Sequence, residues 1–201
     1  MGRKLVLAPG PGMCLCRKHD LVVAGQYDRQ SQDNIQILKI AKIFIHPHYN
    51  PLNNYADLAL LKLTSQADFH LTVVSPVLLP SVDDKFHVRS SCRVMGWGVT
   101  RFNRTIMPIK LQEATVYLQT NEVCRKYWGP NLPQEMICVG AKGISPYDGD
   151  SGGSLVCMKY GVWTLVGILT CVDETRPTDV PVVAVRIPKF IPWIEDIVAH
   201  N

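Results

Sequence analysis

The stretch Gly149-Asp150-Ser151-Gly152-Gly153 combines a hydroxyl with three glycines and a carboxylate. Because glycine has no Cβ, its backbone reaches positive φ and can approach a ligand closely. The backbone N–H groups of Gly149 and Ser151 are therefore expected to point into one small space, as an oxyanion hole requires. The Ser151 hydroxyl beside that space has the position of a nucleophile. The structural alternative is a glycine-rich hairpin turn in which Ser151 or Asp150 caps a helix.

Composition bounds the possible classes of protein. The chain has 201 residues, of which 47% are hydrophobic and 19% charged, so it can bury a core as one large domain or two small ones. The net charge of +4 comes from scattered basic residues, which indicates no nucleic-acid partner. No apolar run reaches the ~20 residues of a membrane span, and the apolar run Leu5–Ala8 is shorter than the ~7–15 residues of an export signal.

Most of the chain has the pattern of short β-strands separated by turn residues. An irregular stretch from 64 to 89 divides them into two units, and the pattern predicts an all-β barrel or sandwich. The predicted strands are Leu21–Ala24, Ile35–Ile45, Asp57–Leu63, Cys92–Trp97, Leu111–Leu118, Met136–Val139, Ser154–Met158, Val162–Leu169 and Val182–Ile187.

The C-terminus has a different periodicity. Phe190, Trp193, Ile194, Ile197 and Val198 follow the spacing of an amphipathic helix. A proline in the first turn, where its missing N–H has no intrahelical acceptor, agrees with this assignment. The sequence therefore predicts an α-helix over residues 190–201.

Residues 14–201 resemble a chymotrypsin-family, trypsin-like (peptidase S1) serine protease, closest to the chymotrypsin branch. The matching segments occur in the family's order, with the Gly149–Gly153 loop among them. They are Leu21–Gly25, Leu38–Lys42, Asp57–Leu63, Gly96–Gly98, Lys126–Gly129, Met136–Cys138, Gly149–Gly153, Leu155–Cys157 and Trp163–Gly167. The resemblance implies an all-β fold of two antiparallel β-barrels with a C-terminal α-helix, and an active site between the barrels.

This resemblance divides the chain into four parts. Residues 1–13 form an unmatched Gly/Pro-rich segment, 14–80 a partial first barrel, 81–189 the second barrel and 190–201 the helix. About three strands of the family's first barrel have no counterpart, and Lys4–Ala8 can supply one short strand. The first barrel is therefore expected to be incomplete, with open edges that favour pairing with other chains.

The family's catalytic triad follows the order His, Asp, Ser. Asp57 and Ser151 occupy the aspartate and serine positions, but Met13 stands where the histidine is expected, directly before Cys14. A thioether cannot take a proton from Ser151. The six histidines of the chain lie in other segments, so none is assigned as the base.

The resemblance also assigns supporting roles that this sequence changes. Asp150 corresponds to the carboxylate that pairs with a new N-terminal amine in active relatives, and no such terminus is present. Ser145 corresponds to the floor of the specificity pocket, which implies an apolar or aromatic P1 residue rather than a basic one. Val172 and Val182 replace pocket-wall glycines and Cys171 replaces a tryptophan, so the pocket is expected to be narrow or filled.

Seven cysteines remain to be assigned. The resemblance implies the disulfides Cys92–Cys157 and Cys124–Cys138, and leaves Cys14, Cys16 and Cys171 unpaired. A redox or metal module that rests on these spare cysteines is a further hypothesis. Its metal cluster would consist of Cys14, Cys16 and His19, three ligands in one loop without a fourth, and no metal or cofactor is expected. Asn103 begins a glycosylation sequon, which matters only in a secreted chain.

Two functions remain open from the sequence. The first is a serine endopeptidase domain that is catalytically inactive in this form and binds a peptide or protein partner. The second is an incomplete product of an active secreted endopeptidase with a small or apolar P1 preference. The family implies an extracellular location, the charge pattern and the apolar runs indicate no nucleic acid and no membrane, and the sequence does not indicate an oligomeric state.

Overall fold

The computed structural model describes residues 4–11, 17, 19–70, 73–88, 90–100, 106–140, 145–171, 176 and 178–201. Within these residues the chain forms ten strands, two α-helices and one 3₁₀ turn. The strands are β1 (Leu5–Pro9), β2 (Leu21–Ala24), β3 (Gln36–Ile45), β4 (Leu58–Leu63), β5 (Ser91–Gly96), β6 (Gln112–Tyr117), β7 (Met136–Val139), β8 (Ser154–Lys159), β9 (Val162–Cys171) and β10 (Val182–Arg186). The helices are α1 (Asn121–Trp128) and α2 (Ile191–His200), and the 3₁₀ turn covers Ile187–Phe190.

The first sheet has four described strands in the order β1-β4-β3-β2. β1 pairs antiparallel with β4 along its whole length, from Leu5 opposite Lys62 to Pro9 opposite Leu58. β4 is apolar on both faces because it lies between two packed layers. Leu58 and Leu60 join the core shared with the second sheet, whereas Leu61 packs on the opposite face with Ala8 and Ile40.

The second sheet has six described strands in the order β6-β5-β8-β9-β10-β7. β8 and β9 are joined by Tyr160 and Gly161, which both have positive φ, as a two-residue hairpin turn requires. An isolated antiparallel bridge between Leu118 and Val139 brings the two outer strands of this sheet together. The sheet is therefore curled towards closure, with its own apolar core inside.

The C-terminal helix closes a second core between the sheets. Ile191 and Ile194 of α2 are buried together with Leu58 and Leu60 of β4 and Ile168 of β9. This packing fixes the two sheets relative to each other, and with them the loops that end at β1, β4 and β8. The two curled antiparallel sheets and the C-terminal helix confirm the predicted trypsin-like fold.

The predicted strands agree with the observed ones to within two residues at either end, and the expected short strand at Lys4–Ala8 corresponds to β1. The sequence reasoning missed α1. This helix has eight residues, is polar on average and buries one residue, Cys124, so no run of apolar residues marks it in the sequence. Its local signals are the N-cap Thr120 and a positive-φ glycine at the C-cap, Gly129.

We expect Thr120→Ala to lower the free energy of unfolding by about 1 kcal/mol, because Thr120 Oγ1 accepts a hydrogen bond from Val123 N at 3.0 Å. Urea unfolding followed by circular dichroism measures the change. Thr115→Ala, at an exposed position of β6, is the control and should stay within about 0.5 kcal/mol. Equal effects of the two substitutions would contradict the capping role.

Both outer strands of the first sheet face one apolar cavity of about 360 Å³. Leu5 and Leu7 of β1 and Val22 of β2 line it, together with Leu165 and Ile168 of β9.

No helix among the described residues is long and apolar enough to cross a membrane.

Candidate functional site

Asp57 lies directly before β4 and is wholly buried. The preceding residue, Ala56, has a positive φ of 52°, and its carbonyl accepts a hydrogen bond from Leu58 N at 2.7 Å. This tight turn ends the loop between β3 and β4. Burial and, after it, the negative charge of Asp57 raise the pKa of Tyr49, a phenol of the same loop. A buried carboxylate at this point has the electrostatic character of a group that orients a neighbouring base.

The end of β1 lies against this carboxylate. A Cβ added to Gly10 would lie 2.5 Å from Asp57 Oδ1 and 2.7 Å from Leu58 N. Only a residue without a side chain fits at such distances without a shift of its neighbours. Gly10 is therefore in direct contact with Asp57.

The residue before Gly10 lies against the loop that carries the serine. A Cβ added to Gly152 would lie 2.6 Å from Pro9 Cγ. Pro9 and Gly10 therefore extend from the nucleophile loop, Gly149–Gly153, to Asp57. A general base must lie within hydrogen-bond reach of Ser151, and neither residue that β1 brings to this region has a titratable side chain.

The nucleophile loop has the backbone geometry that its glycines allow. Gly149 and Gly152 have φ angles of 88° and 84°. Gly152 N donates to Leu169 O at 2.8 Å and Gly153 N donates to Asp150 O at 2.9 Å, which ties the loop to β9 and to itself. Within the described part of the chain, the N–H groups of Gly149 and Ser151 donate to no protein acceptor. These are the two donors that the sequence assigns to an oxyanion hole.

Asp150 is held by backbone amides from two sides. Its Oδ1 accepts from Gly98 N at 2.9 Å and its Oδ2 accepts from Tyr147 N at 3.1 Å. Among the described residues the Asp150 carboxylate makes no ion pair. The family resemblance assigns an amine as the partner of this carboxylate. Here two backbone N–H groups donate to the partly buried carboxylate instead.

Two glycines, one at the end of β5 and one just after it, make room for that carboxylate. A Cβ on Gly96 would lie 1.9 Å from Asp150 Oδ1, and one on Gly98 would lie 2.4 Å from Asp150 Cγ. The short spacing of these two glycines around Trp97 is therefore explained by the approach of Asp150.

Part of the expected specificity pocket is described. Ser145 Oγ is buried and has no hydrogen-bond partner among the described residues. Val182 is 2% exposed and packs in the core of the second sheet with Val139 and Leu118. The remaining pocket residues, Val172 and the side chain of Cys171, lie outside the described residues, as do Met13, Cys14, Cys16 and Asn103.

The histidines occupy other parts of the fold. The His46 ring lies against Phe190 and Trp193, at centroid distances of 5.1 and 4.9 Å. His48 contacts the His46 ring and is exposed, as are the other four, His19, His70, His87 and His200.

Two disulfides connect the second unit. Cys92–Cys157 joins neighbouring strands β5 and β8, and Cys124–Cys138 joins α1 to β7. Both are the pairings that the resemblance implies.

The sequence reasoning missed the contacts of Pro9 and Gly10 and the steric role of Gly96 and Gly98. The contacts of Pro9 and Gly10 were signalled by Gly10 itself, which comes after the apolar run Leu5–Ala8 and Pro9, because a glycine at a strand end often marks a close approach of two backbones. Gly96 and Gly98 were visible in the sequence as Gly-Trp-Gly, but the group that approaches them, Asp150, comes from a distant segment.

Comparison with known proteins agrees with this arrangement. The family model described as Trypsin matches residues 12–194. The chain is also similar to a solved structure of mouse neuropsin, described as a serine protease expressed in the limbic system of mouse brain, with a TM-score of 0.84 and 28% sequence identity. That match covers 98% of this chain and 86% of the neuropsin chain. The chain therefore belongs to the trypsin family of serine proteases.

Proposed function

We propose that this trypsin-family domain does not hydrolyse peptide bonds in its present form and acts by binding a peptide or protein. The observation that carries this proposal is the contact of Pro9 and Gly10 with Gly152 and Asp57. The region between the carboxylate and the nucleophile loop is reached by a proline and a glycine, which cannot accept a proton from Ser151.

The sequence after Gly10 supports the same conclusion. It continues Pro11-Gly12-Met13, so the chain leaving β1 contains no histidine before Cys14. His46 is turned towards the C-terminal helix, which argues against its use as a substitute base. In a related triad the loss of the base lowers turnover by roughly six orders of magnitude.

The retained groups indicate a peptide-like ligand. Gly149 and Ser151 keep two N–H groups that can donate to a carbonyl oxygen, and this capacity does not depend on a base. The buried Val182 and the hydroxyl of Ser145 favour a small or apolar side chain in any remaining pocket. The two disulfides favour an extracellular location, where such bonds persist.

A fluorophosphonate probe tests the proposal, because its reaction requires an activated serine. We expect the chain to label no more strongly than Ser151→Ala, under conditions where an active trypsin-family protease labels completely. Labelling that depends on Ser151 would overturn the proposal.

The alternative is an active endopeptidase with a small or apolar P1 preference. The specific observation in its favour is the buried Asp57, which an inactive domain has no catalytic reason to keep. Ser151-dependent labelling together with cleavage of peptides after alanine or valine would favour this alternative.

A further inference from the structure

His46 connects three parts of the fold. It follows β3, its N–H donates to Leu58 O at 3.0 Å, and its ring contacts Phe190 and Trp193. Phe190 belongs to the 3₁₀ turn and Trp193 to α2, so the ring links the C-terminal helix to the loop that ends at Asp57. The residue is almost completely buried, with a relative exposure of 9%.

A hydrogen bond assigns the proton on the imidazole. His46 Nδ1 accepts from His48 N at 3.2 Å, so the neutral ring carries its hydrogen on Nε2. Protonation at Nδ1 would place two N–H donors against each other and break this bond. It would also place a cation in a largely buried site, where the loss of hydration is costly.

The charged and titratable groups around the ring do not stabilise a protonated His46 enough to offset its burial. Within its own loop the neighbours are His48 and Tyr49, and the buried Asp57 precedes Leu58. On the helical side the charged groups are Lys189, Glu195, Asp196 and His200, all exposed to solvent. Burial first, and then the neighbouring His48, lower the pKa of His46.

We propose that His46 is an acid-sensitive latch that holds α2 against the loop carrying Asp57 when neutral and loosens it when protonated. The direction follows from linkage. When α2 is detached, His46 is exposed to solvent and has an ordinary pKa near 6.5. When α2 is packed against the loop, His46 binds the proton less readily. Docking is therefore fully stabilised above about pH 6.5 and weakens as pH falls from there towards the lowered pKa. The latch is independent of whether Ser151 is active.

Hydrogen–deuterium exchange on the full chain tests the latch. After correction for intrinsic exchange, we expect the protection of α2 to fall by up to about tenfold between pH 7.5 and pH 5.5. Helix α1, which has no histidine in or against it among the described contacts, is the internal control and should change less than twofold.

Variants separate His46 from the other histidines. His46→Phe keeps an aromatic ring without a titratable nitrogen and should remove the pH dependence of α2, while His200→Gln, at the exposed end of the same helix, should retain it. Unchanged protection of α2 in the wild-type chain, or an equal fall in His46→Phe, would overturn the proposal. If His46→Phe does not fold, NMR titration of the wild-type ring decides: a His46 pKa below that of the exposed His70 supports the latch, and an equal or higher pKa overturns it.

Discussion

Replacing Cys92 and Cys157 together by alanine is expected to lower the free energy of unfolding by about 4 kcal/mol. The two residues are 65 positions apart, so the disulfide closes a long loop and restricts the unfolded chain strongly. Both are wholly buried in the core of the second sheet, where alanine also leaves unfilled volume. Reversible urea unfolding of both proteins measures the difference.

The second disulfide provides the matched control. Cys124 and Cys138 are 14 positions apart, so their removal is expected to cost about 3 kcal/mol on the same entropic basis. A smaller effect for the 92–157 pair than for the 124–138 pair would contradict loop closure as the source of the stabilisation.

A single substitution, Gly98→Ala, is expected to lower the free energy of unfolding by about 3 kcal/mol. The new Cβ would lie 2.4 Å from Asp150 Cγ, so the carboxylate must move away. It would then lose its hydrogen bonds from Gly98 N and Tyr147 N, which are strong because the acceptor is charged. Thermal and urea unfolding report the loss.

Two comparisons identify the cause of that loss. Gly161→Ala lies in a hairpin turn with φ of 81° and no atoms within 4 Å of the new Cβ, so it should cost about 1 kcal/mol from backbone strain alone. In an Asp150→Ala background, Gly98→Ala should cost less than about 1 kcal/mol, because the clashing group is gone. An unchanged cost in that background would show that Asp150 is not responsible.

The strands were predictable because their short apolar or alternating runs are visible in the local sequence. β4 reads Leu-Ala-Leu-Leu-Lys-Leu and is buried on both faces, and such a run is recognisable without knowledge of its neighbours. Helix α1 was not predictable in the same way, because it buries one side chain and depends on its caps.

The site was predictable only in part, because its contacts join distant segments. Ser151, Asp57 and Gly149 were assigned by family resemblance, and their positions in the sequence carry that information. The fit of Gly10 against Asp57, and of Gly98 against Asp150, depends on distances below 3 Å between segments about 50 residues apart. No local pattern of the sequence encodes such a distance.

The pairing of β1 with β4 has a consequence for the order of folding. β2, β3 and β4 follow one another as neighbours in the sheet, so each pairing closes a short loop. β1 skips two strands and pairs Leu5 with Lys62, a contact that costs more chain entropy and forms more slowly. The contacts of Gly10 with Asp57 and of Pro9 with Gly152 are therefore expected to form after the β2–β3–β4 meander.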